Sequence, residues 1–169
     1  MTRPPSPQDV LAAVRDLTQL RDGAVDIDHS RSAAAMETVG RAMADALRPH
    51  RPETVLTWDD SDNAVLGHVL ARESGVPAVP FRLQDGVIDV DVELVRGRQV
   101  ALAVLHGVPA FLLRQVRSYL DAHQATLEAV AEAVGPRPSG ETAVPHHLVL
   151  VDQHTLTPAA RDTGTDHAH

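Results

Sequence analysis

The stretch that most constrains this chain is Gln99–Leu105, QVALAVL, in which six apolar residues follow one glutamine without interruption. A strand with one wet face alternates apolar and polar residues, whereas an unbroken apolar run of this length belongs to a strand covered on both faces. Some other part of the chain must therefore supply a layer above it and a layer below it. That requirement points to a three-layer α/β architecture, with helices on both sides of a mostly parallel sheet.

The flanking sequence offers those layers. SPQDVLAAVRDLTQL places Ser6 as a cap and Pro7 in the first turn, ahead of a Val10, Leu11, Val14, Leu17 stripe. SAAAMETVGRAMADALRPH has Ser32 as a cap and Met36, Val39, Met43 and Leu47 on one face, with Pro49 and Pro52 ending the helix. SDNAVLGHVLARESG is a third helix closing at Gly75, and AFLLRQVRSYLDAH a fourth. Strands are expected in GAVDIDHSRS, ETVLTWDD, VPAVPFRL and HHLVLVD, and an edge strand along the whole of GVIDVDVELVRG. Residues 124–135, QATLEAVAEAVG, read both ways: Ala and Glu favour helix, while their place in the alternation favours strand. The expected organisation is a disordered arm over 1–7, a single domain over 8–157 and a disordered tail over 158–169.

Composition narrows the chemistry. All fifteen basic residues are arginine, which removes Schiff-base and P-loop lysine chemistry, and the absence of cysteine removes thiolate catalysis, disulfides and cysteine-held zinc. A formal net charge of −8 argues against nucleic acid as a partner. No apolar run is long enough to span a membrane, and the first residues lack the apolar core of a signal peptide, so a cytoplasmic chain without membrane contact is expected. Neither Gly-x-Ser-x-Gly nor Gly-x-Gly-x-x-Gly occurs.

The order of these segments resembles a type I phosphoribosyltransferase, most closely the orotate branch. GAVDIDHSRS is similar to that branch's hood. TVLTWDDSDNAVLGHVLARESGVPAVPFR is similar to its strand, pyrophosphate loop, helix and next strand. GRQVALAVLHGVPAFLLRQVRSYLDA falls where the family carries its donor motif, and AVPHHLVLVDQHTL resembles its final segment. In that family the central strand ends in two acids that hold the ribose hydroxyls. A Thr-Thr-Gly type turn follows and cradles the 5′-phosphate. Here Val104 and Leu105 stand at the acid positions, and Val108, Pro109 and Ala110 at the turn positions. The pyrophosphate loop becomes Trp58, Asp59, Asp60, Ser61, Asp62 and Asn63, whose carboxylates would each repel a nearby phosphate charge by about 1–4 kcal/mol. The mobile loop after Arg82 is short and acidic, and Arg82 alone matches the family's arginine at that strand end.

The resemblance thus implies a phosphoribosyltransferase-like protein with degenerate donor motifs and no catalytic residue: a regulatory, ligand-sensing or scaffold homodimer, or the partner protein of a true transferase. Its remodelled ligand pocket is expected at Trp58, Asp59, Asp60, Asp62, Arg82, His106 and Gly107. Trp58 would either stack on a planar small-molecule ligand or plug a vacated site. No cofactor is expected. The alternative is an active transferase of nucleobase or orotate metabolism, in which Mg²⁺ held by Asp59 and Asp60 replaces the lost motif. Against that metal reading, Asp60 or Ser61 simply caps the next helix. His146, His147, Asp152 and His154 are the remaining ligand types near the last strand, but adjacent strand residues face opposite ways.

Overall fold

The computed structural model describes residues 3–21, 24–136 and 146–156. Its core is a six-stranded sheet in the order β5-β4-β3-β6-β7-β8, formed by β3 (Thr54–Trp58), β4 (Ala78–Gln84), β5 (Val87–Asp89), β6 (Gln99–Val104), β7 (Thr126–Gly135) and β8 (His147–Asp152). Every pairing is parallel except that of β5 with β4. A separate antiparallel hairpin joins β1 (Thr18–Arg21) to β2 (Ala24–Ile27).

The apolar run is β6, and its side chains divide as a doubly covered strand requires. Ala101, Ala103 and Leu105 join the core under α1 (Pro7–Leu17), α2 (Ala33–Leu47) and α3 (Ser61–Ser74). Val100, Leu102 and Val104 join the core under α4 (Ala110–Ala122). The predicted three-layer architecture is the one observed. Among the described residues no helix is long and apolar enough to cross a membrane.

The helix signals act where the sequence places them. The Ser6 side chain accepts from the Asp9 N–H and Asp9 reaches back to Ser6, a capping box that brings Ser6 and Pro7 into the start of α1 rather than into the arm. Ser32 caps α2, and Gly75 ends α3 in the left-handed region at φ 75°. α2 and α3 cross closely at Gly40, where a Cβ would overlap Val69.

Three expectations change. The first helix stops at Leu17, because Thr18 turns extended (φ −79°, ψ 135°) and donates its hydroxyl to Val14 O at 2.6 Å, opening β1. The edge strand covers only Val87–Asp89. Asp91 then accepts from the Glu93 N–H and starts a short 3₁₀ turn over Val92–Leu94, a local competition with the ladder. Residues 124–135 resolve as strand from Thr126: β7 lies between β6 and β8, and its alanines face the α1–α3 core. β7 also carries one extra residue, since Val100 pairs with Leu127 but Ala101 pairs with Ala129. The expected tail, 158–169, lies outside the described residues.

Candidate functional site

In a sheet wound in two directions, the crevice lies where the winding reverses, at the carboxyl ends of two neighbouring parallel strands. Here that point falls between β3, which runs through α3 to β4, and β6, which runs through α4 to β7 on the opposite side. Two strand-to-helix turns therefore meet at one end of the sheet.

The first turn, Trp58–Asp60, is tied by polar groups. The Asp59 N–H donates to Phe81 O at 2.8 Å, holding the turn to β4. Asp60 caps α3, with Oδ1 accepting from the Asn63 N–H at 2.7 Å and Oδ2 from Asn63 Nδ2 at 2.8 Å. Asn63 is buried, and its Oδ1 accepts the Leu105 N–H at 3.1 Å, which joins the first turn to the second. Trp58 packs edge-on against Phe81, centroids 5.0 Å apart.

The second turn, Leu105–Pro109, presents apolar side chains and one exposed histidine. Its helix, α4, begins at Pro109 without a side-chain cap. The turn is instead held from beneath by Glu132 of β7, which is 1 % exposed and whose Oε1 accepts the Val108 N–H at 2.9 Å. His147 Nε2 lies 3.0 Å from the same oxygen, close enough to pair electrostatically though out of line for a hydrogen bond. Among the described residues Glu132 Oε2 is buried without a hydrogen-bond partner, and a Cβ on Gly135 would overlap it, so this carboxylate fits only beside glycine.

Between the turns lies a cavity of about 320 Å³ whose walls are mostly apolar: Val104, Val108, Leu112, Phe111 and Trp58, with Asp60, Asn63, His106 and Gly107 at its polar margin. Phe111 is 53 % exposed, unusual for a large aromatic in a first helical turn. The structure thus brings together Trp58, Asp60, His106 and Gly107 from the predicted set, around space that Trp58 leaves open. It separates the other three. Arg82 turns to the neighbouring strand, with Nη2 2.7 Å from Asp89 Oδ2 and Nη1 3.8 Å from Asp59 Oδ2, and Asp59 and Arg82 line a different depression. Asp62 faces the hairpin, where its Oδ1 accepts the His29 N–H at 2.8 Å and lies 2.6 Å from His29 Nδ1.

Of the metal candidates, Asp60 spends both oxygens on Asn63, and Asp59 Oδ2 lies 3.8 Å from Arg82 Nη1. Near β8, His146 stacks on His50 with centroids 4.3 Å apart while His147 approaches Glu132, so these histidines diverge as adjacent strand residues must. Burial, reinforced by the charge of His146, holds the His50 pKa below its ordinary value. Asp28, beside the hairpin, is held below the usual carboxylate range, first by the Ser30 hydroxyl and then by the Ser30 N–H.

Sequence reasoning missed Glu132 and Phe111, and placed Asn63 in the first loop without a role at the site. Asn63 had a legible signal, an amide three residues after a capping aspartate. Glu132 had one only if residues 124–135 were taken as a doubly covered strand, where a lone carboxylate must have a donor.

No family model matches the sequence, and no curated protein does. The fold, however, is that of the type I phosphoribosyltransferases. An adenine phosphoribosyltransferase from Trypanosoma brucei, solved with AMP, pyrophosphate and ribose-5-phosphate, superimposes with a TM-score of 0.67 at 16 % identity, covering 95 % of this chain and 87 % of that one. The orotate phosphoribosyltransferase of Mycobacterium tuberculosis H37Rv, in complex with inorganic phosphate, gives 0.66 at 15 % identity, with 90 % and 91 % covered. The adenine enzyme of Rhodothermus marinus gives 0.68 at 12 % identity, with 86 % and 99 % covered.

Proposed function

We propose that this chain is a phosphoribosyltransferase-like protein that no longer transfers phosphoribosyl groups and instead binds an uncharged planar molecule as a sensing or regulatory subunit, working as a homodimer. The observation that carries this reading is the second turn. Where a sugar phosphate needs donors and acids, the strand ends in Val104 and Leu105, Pro109 has no N–H, and the Val108 N–H already belongs to Glu132. The open, apolar cavity beside Trp58 supports a sensor over a bare scaffold, since a plugged pocket could hold nothing. The alternative, an active transferase using Mg²⁺ on Asp59 and Asp60, draws on the fold but not on those carboxylates, which point to Arg82 and Asn63.

Trp58 is the sole tryptophan, so its fluorescence reports on this cavity. Titration with phosphoribosyl pyrophosphate and Mg²⁺ is expected to leave both the emission and the melting temperature unchanged, with no pyrophosphate released in the presence of adenine, orotate or uracil. A set of neutral planar heterocycles is expected to contain quenchers that also raise the melting temperature. Turnover with any base would overturn the reading. Sedimentation of the purified chain at the mass of a monomer would remove the homodimer.

A further inference from the structure

Away from the cavity, the fold draws together three side chains of metal-ligand type from two segments. Asp28 and His29 follow β2 at the open base of the hairpin, where the Asp28 N–H donates to Leu17 O, and Asp62 lies in the first turn of α3, 33 residues beyond His29. One ligand atom from each lies within 4.8 Å of the others, and all three residues are only partly exposed. We propose that Asp28, His29 and Asp62 form a binding site for a divalent transition-metal ion of the zinc type, which clasps the hairpin to α3.

The charge balance favours a cation. Two carboxylates lie near a single imidazole, with one ligand atom of each within 4.8 Å of the others. Arg31, the nearest arginine in sequence, exerts only the weakest of the pulls on Asp28 and directs its Nε to Asp16 O at 3.0 Å, on α1. The donor set selects the ion: one nitrogen and two carboxylate oxygens suit zinc and its neighbours, whereas Mg²⁺ and Ca²⁺ prefer oxygen throughout. The spacing also fits. The 2.6 Å between His29 Nδ1 and Asp62 Oδ1 needs only a small opening to become two adjacent ligands, which sit roughly 3 Å apart on one ion. Three protein ligands leave a further position for water or an exogenous ligand. The site stands independently of what the cavity binds.

The test is calorimetric titration of the full chain, stripped with chelator, using ZnCl₂ and separately MgCl₂. The expected result is one zinc per chain and no magnesium heat. His29→Ala and Asp28→Asn should each weaken zinc by about tenfold or more, while a His154→Ala, His167→Ala, His169→Ala control keeps it. Replacing zinc with Co²⁺ should give visible bands that His29→Ala abolishes. Asp28→Asn keeps the test decisive if His29→Ala unfolds, because the Asp28 side chain's hydrogen bonds among the described residues are local, to Ser30. No zinc binding by the stripped chain, or equal binding by wild type and Asp28→Asn, overturns the proposal.

Discussion

The two strand-to-helix turns have the same topology and opposite chemistry. At β3–α3 the anchors are local: the Asp60 side chain caps α3 at Asn63, and the Asp59 backbone N–H donates to Phe81 O on the next strand. At β6–α4 the turn has no side-chain cap of its own, and its anchors arrive from other elements: Asn63 of α3 holds the Leu105 N–H and Glu132 of β7 the Val108 N–H. The lesson is that a fold can keep the shape of a ligand-gripping turn while transferring its hydrogen bonding to the protein interior. The shape is set by the layers; the chemistry is set by a few residues at the tip.

That contrast can be broken most forcefully at Glu132. Glu132→Ala leaves the Val108 N–H unpaired and a void in a packed strand, so urea unfolding should show a loss of about 2–4 kcal/mol. Glu132→Gln keeps an acceptor and should cost markedly less; equal losses would mean that the carboxylate does not hold the turn. Asn63→Ala severs the brace between the turns and should cost about 1–3 kcal/mol, with faster hydrogen exchange at the Leu105 amide as its specific signature. Asp60→Ala removes the cap and the acceptor for Asn63 Nδ2, at the exposed end of the helix, for about 1 kcal/mol. The smallest effect runs the other way. Pro109→Ser would give α4 the cap it lacks and should stabilise the chain by about 0.5 kcal/mol; a loss instead would show that proline rigidity outweighs capping there.

Much of this was legible in advance because the signals were local and cumulative. The unbroken apolar run of β6 forced a covered sheet, and Ser6, Ser32, Asp60 and Gly75 marked helix ends by chemistry that acts within four residues. What stayed hidden depends on contacts distant in sequence. Arg82 reads as a pocket residue until Asp89 is seen beside it on β5, and Asp62 reads as part of the acidic loop until His29 turns toward it. The short edge strand was misjudged for a different reason: alternation in Ile88, Val90, Val92 and Leu94 suits a strand, but aspartates that bond their own backbone can end one.

The added residue in β7 decides which side of the sheet its only fully buried carboxylate occupies. Leu127 and Val130 are three positions apart, yet both belong to the α4 side, a phase slip that a regular strand would not allow. If Glu128 instead took a regular place in the ladder, every later residue of β7 would change face, and Glu132 would pass to the layer beneath α2, away from Val108. A single inserted residue, far from the tip, thus acts as the indexing step that aims an acid at the turn.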